Sequence, residues 1–222
     1  MMLLNVKYFG VCILVAVSSV VWVSSAIADT YSPRDFVKSA PANLFYTDDE
    51  MSSTDKDALV KGGFKRTSIF DCSAWGVSEE GADRLVMQYC SDSSVTVHVY
   101  RDTVDRDVVI VAVASVRASG KAGDLSLFRI VKSHGDFKPL SQQQLSDLGI
   151  VPLTENDFLK DSERFPVGQA QPVKLSLGDN GDLKGELFTW MDPRWETRTQ
   201  RFDVYFAWEG KKFSKSKRDL NG

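Results

Sequence analysis

Two cysteines bracket the stretch DCSAWGVSEEGADRLVMQYC, at positions 72 and 90. Thiols so placed have three chemistries open to them: nucleophile, metal clip or covalent staple. A nucleophile needs a free thiolate with a base beside it, and the sequence offers neither. A metal clip needs further ligands, but the two histidines, His98 and His134, lie in unrelated segments. A staple needs only geometry and an oxidising compartment. Thr67–Val77 and Arg84–Cys90 read as strands, with SEEGAD as the turn between them. A hairpin centred on Gly81 sets Cys72 directly opposite Cys90, where Cα atoms approach within about 4.5–5.5 Å. The pair is therefore read as a disulfide, and neither a metal nor a cofactor is implied.

Catalytic signatures are absent from the sequence: no G-x-S-x-G, H-E-x-x-H, P-loop or G-x-G-x-x-G occurs. His98 falls at an outward-facing strand position between Thr96 and Tyr100, without a nucleophile to serve. SGKAGD (Ser119–Asp124) has the glycines and lysine of a phosphate loop, yet a strand follows it rather than a helix, so it reads as a hairpin turn. DNGD (Asp179–Asp182) opens like a calcium loop but lacks the rest of that pattern, and it too reads as a turn. The acidic run holding Asp48, Asp49, Glu50, Asp55 and Asp57 suits a solvated loop entering a helix, whose positive end favours carboxylates.

The segment Phe188–Phe213 interleaves Trp190, Trp195, Phe202, Tyr205, Phe206 and Trp208 with Arg194, Arg198 and Arg201. Phe202, Val204, Phe206 and Trp208 alternate along one strand face and read as core. Trp195 differs, because it lies in the connection MDPRWETRT with arginines on both sides. Tryptophan and arginine on a loop are the residue types of interaction hot spots. Trp195, Arg194 and Arg198 are the binding residues this reading selects.

These groups need a scaffold. Ser32-Pro33 opens a helix over Arg34–Ser39, and Thr54 caps another over Asp55–Lys61, closed by Gly62-Gly63. Strands follow: the stapled hairpin, then Ser94–Arg101, Val108–Val116 and Leu125–Val131. VVIVAVASV is apolar at every position but one, the mark of a strand buried on both sides. Trp75 and Val77 are expected to share the core face with Leu85, Met87 and Tyr89, and Val95, Val97 and Val99 to lie opposite Tyr89, Met87 and Leu85. After about residue 135 helical signals return, with a Ser141–Gln144 capping box and a second helix over Glu155–Arg164. Strands around Val173–Leu177, Leu183–Leu187, Arg201–Trp208 and Lys211–Lys215 complete the chain, and the basic end is expected to fray beyond Ser214. The fold class is α+β: antiparallel meanders with short helices packed on them, read as two similar lobes, 29–135 and 136–222, with one long curved sheet carrying the helices as the alternative.

The first 28 residues have the order of a secretory signal peptide: Lys7, an apolar run to about Val23, then Ala26-Ile27-Ala28. Cleavage after Ala28 removes one lysine and takes the formal charge from −3 to −4. The rival reading is a retained membrane anchor, since the uncharged stretch approaches the ~20 residues that span a bilayer. A mild negative charge excludes the basic excess of a nucleic-acid binder. With 43% hydrophobic and 26% charged residues the chain is globular rather than disordered. The expectation is a periplasmic or secreted, non-enzymatic binding protein of the bacterial cell envelope, inhibitor- or immunity-like, with a protein or cell-wall partner. Two alternatives stand beside it. One is an envelope hydrolase whose carboxylates, such as Asp48 or Glu50 near Arg194, assemble only in the fold. The other is a structural accessory subunit of an envelope complex.

Overall fold

A computed structural model of the chain describes residues 31–47, 50–68, 71–91, 93–117, 122–131, 136–154, 157–158, 173–187 and 201–220. Tyr31–Gly222 form one compact unit. Local chemistry sets the helices. In α1 (Pro33–Ser39) Ser32 and Asp35 cap one another reciprocally, and Pro33 occupies the first turn. In α2 (Ser53–Lys61) the reciprocal cap is Ser52 with Asp55, two residues earlier than Thr54, and Met51 is buried just before it. α3 (Gln142–Asp147) starts at the Ser141–Gln144 box, as expected.

Among the described residues, nine strands form two antiparallel sheets. The first runs β1 (Asp71–Glu80), β2 (Arg84–Cys90), β3 (Ser93–Arg101), β4 (Val108–Val116), β5 (Ala122–Val131) in simple chain order. The second runs β6 (Val173–Leu177), β7 (Leu183–Leu187), β8 (Phe202–Trp208), β9 (Phe213–Asp219), also in chain order. The α+β class with short helices on antiparallel sheets is what the chain adopts.

Period-two alternation gives the first sheet two apolar faces. Val77, Leu85, Met87, Val97, Val99, Val111 and Phe128 face α1 and α2, where Phe36 meets the rings of Phe45, Phe128 and Phe137 at 6.1, 5.6 and 5.7 Å. Tyr100, Ile110, Ala112 and Leu127 point the other way, onto Leu183, Val204, Phe206 and Phe213 of the second sheet. β4 lies between the two cores, which is why its residues are apolar at both parities. The layers are helices, five-stranded sheet, four-stranded sheet.

Three expectations need correction. In the stapled hairpin Asp71, not Cys72, pairs with Cys90, while Val77 pairs with Met87 and Glu80 with Leu85. Irregularities between Asp71 and Gly76 and between Val77 and Glu79 absorb the difference. Cys72 adopts φ 62° beside the first of them. The two sulfurs nevertheless stand at disulfide distance, with Cα atoms 4.5 Å apart. Next, the β2–β3 connection is tighter than three residues, so Val97 faces Leu85 and Val95 faces Met87. Finally, the basic end does not fray beyond Ser214. β9 continues to Asp219, which pairs with Phe202 and takes a hydrogen bond of 2.7 Å from Arg201. Alternating lysines and serines carry little apolar signal, but lysine is a usual residue of an edge strand.

Candidate functional site

Arg194, Trp195 and Arg198 lie outside the described residues, as do Trp190, Asp48, Asp49 and His134. Glu50 is described and forms a bridge with Tyr46. Cys72 and Cys90 are placed as a covalent staple between β1 and β2. A crevice lies where β5 of the first sheet and β6 of the second adjoin.

β6 is a terminal strand of its sheet, and β5 is a terminal strand of the other. Between them run two adjoining cavities of ≈ 470 and ≈ 420 Å³ that share Gly123, Asp124, Leu125 and Leu175. The first is mainly apolar, lined by Leu127, Leu140, Ile150, Leu153 and Val173 among others. The second is polar, with hydroxyls from Ser94, Thr96, Ser115 and Ser176 and carboxylates from Glu79, Asp124, Asp179 and Glu186.

One guanidinium organises the polar end. Arg84 stands 3.4 Å from Glu79 and 3.5 Å from Asp179, and donates to the Gly178 carbonyl at 3.3 Å. It thus ties the first sheet to the β6–β7 turn. Asp124 meets Arg117 at 3.7 Å and accepts from the Tyr46 hydroxyl at 3.0 Å. Glu186 accepts from Ser176 Oγ at 2.9 Å. Four carboxylates line this cavity against one lining guanidinium, which favours a ligand end bearing an amine or hydroxyls.

His98 lies nearby but cannot act as a surface base. It pairs with Arg84 across β2–β3, and the β6–β7 turn closes over it. A Cβ at Gly181 would meet imidazole carbon Cε1 and nitrogen Nε2 at 2.6 Å, so the turn needs glycine there on contact grounds as well as for its φ of 88°. Burial first, then the positive charge of Arg84, pushes the imidazole down to about 4, and Asp182 opposes this only in part. Tyr100 seals the same junction, donating to the Gly181 carbonyl at 2.5 Å. Burial and then the Asp182 charge raise its phenol above the ordinary range.

No family model matches this chain, and no curated protein matches it. A solved structure, a domain of an uncharacterized protein from Porphyromonas gingivalis W83, is similar with a TM-score of 0.49 and 11% sequence identity. The similarity covers 75% of this chain and 89% of that one.

Sequence reasoning missed Arg84, Ser115, Ser176 and Glu186 as neighbours, since they come from four strands in two sheets. One signal was present. Thr96, His98 and Tyr100 form the polar-to-aromatic face of β3, which looked solvent-facing and is instead covered by the second sheet. Among the described residues, no helix is long and apolar enough to cross a membrane.

Proposed function

We propose that the protein is an exported, non-enzymatic binding protein of the cell envelope, and that the β5–β6 crevice receives an extended peptide segment of a protein or cell-wall partner. One observation carries the reading: two terminal strands border a continuous crevice, polar at one end and apolar at the other. Terminal strands offer main-chain donors and acceptors to an added extended segment, here along the part of β5 before Leu127, since Pro139 bridges Phe128 and Leu140 donates to the Leu127 carbonyl. Side chains of that segment would alternate between the leucine-lined cavity and the carboxylate-lined one. Export rests on the signal-peptide order of residues 1–28, and a Cys72–Cys90 disulfide is compatible with it. The Arg194–Arg198 segment follows β7 in the chain and keeps its place in this reading as a second contact.

The test is cross-linked capture by the mature protein from its own envelope fraction. Asp124→Lys with Asp179→Lys reverses two exposed crevice charges. This pair should lose the partner captured by the parent while melting within a few degrees of it. Trp195→Ala should weaken capture by about 2 kcal/mol with little change in melting. A charge-reversed variant that captures the same partner equally well removes the crevice from the account. A Trp195→Ala variant that melts far below the parent and keeps every partner makes that tryptophan core.

A further inference from the structure

A separate pocket lies on the other side of Leu140, built where two turns and a helix converge. The β8–β9 turn docks on the β3–β4 turn through Thr103, whose backbone N–H and hydroxyl both reach the Gly210 carbonyl, at 2.6 and 3.2 Å. α3 closes the third side with Gln144 and Asp147. The enclosed volume is ≈ 270 Å³. Its floor is apolar: Val108 and Ile110 of β4, Leu140, Leu148 and Trp208. The Trp208 indole N–H is already given to the Arg101 carbonyl at 2.9 Å, so the ring adds only apolar surface to the pocket.

The rim is cationic. Arg129, Lys211 and Lys212 line it, and none of their side chains has an ion-pair or hydrogen-bond partner among the described residues. Two carboxylates also line it, each with its Oδ1 engaged by local donors. Asp102 accepts from the backbone N–H groups of Val104 and Asp105 at 2.7 and 3.0 Å, and Asp147 accepts from Gln143 at 2.9 Å. The hydrogen bond from Asp105 comes first, and the Lys211 and Arg129 charges last, among the causes that hold the Asp102 carboxyl below its ordinary range. Three cations thus face a small apolar hollow with two carboxylates, a net positive rim in which only the Oδ1 of each carboxylate already has a donor.

We propose that this pocket binds a small organic anion with an apolar body, an aromatic or branched carboxylate whose charge meets Arg129, Lys211 and Lys212 while its body covers Ile110 and Trp208. Charge-assisted hydrogen bonds would fix the carboxylate. The apolar floor would supply burial that a bare anion cannot use. Such a ligand is chemically distinct from an extended peptide in the crevice, and the proposal does not depend on that reading.

The probe is benzoate, titrated into the mature protein by calorimetry and by backbone amide NMR, beside benzamide and acetate. Benzoate should shift the amides of Gln144 and Lys211, and benzamide and acetate should each bind at least about tenfold more weakly. Lys211→Gln with Lys212→Gln alters exposed side chains only; it should weaken benzoate about tenfold or more without changing the melting temperature. Gln144→Trp should block the pocket by filling it. The Asp124→Lys, Asp179→Lys crevice variant should bind benzoate like the parent, which separates this site from the other. Absence of benzoate-dependent shifts at millimolar concentration would overturn the proposal. So would equal binding of benzamide, or full affinity in the double lysine variant.

Discussion

At the junction of the two sheets a single imidazole sets a pH response. His98 is held near neutral charge by burial and by Arg84, with its folded value at about 4 against an ordinary value of 6.5. The folded chain therefore binds fewer protons than the unfolded chain between those values. Stability contributed by the neutral ring is complete above pH 6.5 and is lost as pH falls through that window. The loss should be on the order of 2 kcal/mol once the ring's partial exposure is discounted. Urea unfolding at pH 7 and pH 5 should register about half of it, since pH 5 lies inside the window, and His98→Gln should flatten the difference. An unchanged slope in that variant would place the pH dependence on other groups. The site's other polar residues behave as a connected set: Arg84 serves two carboxylates and a carbonyl at once. Removing it would leave Glu79 and Asp179 unpaired beside a half-buried ring.

Among the elements, the stapled hairpin carries the clearest test. The disulfide closes a separation of 18 residues, for which chain entropy predicts about 3 kcal/mol. Cys72→Ala with Cys90→Ala should lower unfolding free energy by roughly that amount, and denatured, unreduced protein should show no reactive thiol. Two labelled thiols in protein taken from an oxidising compartment would contradict the pairing. This hairpin also shows what was legible in the sequence. Its cysteines, strands and buried residues were readable from type and parity, and in the neighbouring β2–β3 pair a shift of register by two residues leaves every side chain on the same face. Val95 and Val97 moved by two positions and remained core for that reason. The register itself was not readable. It depends on irregularities around Cys72 and Ser78 that no residue type announces. β9 was half read, since Phe213 marks its start and lysines hide the rest. Beyond the Thr96 face of β3 the crevice was not legible, because its polar end is lined by residues 79 to 186 on strands whose apposition is a tertiary fact.

For the molecule as a whole, β4 is the central member, covered by helices on one side and by the second sheet on the other. Among the described residues both faces of the first sheet are covered, so its edges are what it presents to an extended partner segment. β5 and β6 bring two such edges together, and the hydroxyls and carboxylates beside them give the opening a polar end. The account of function therefore turns on what enters between them. A photo-cross-linking amino acid at position 175, which lines both cavities, tests this in the native envelope, with the same group at exposed position 106 as control. The account predicts a discrete partner adduct from position 175 and none from position 106, with peptide mapping placing the partner's cross-link within one short extended segment. No adduct from position 175, or the same adducts from both positions, would contradict it.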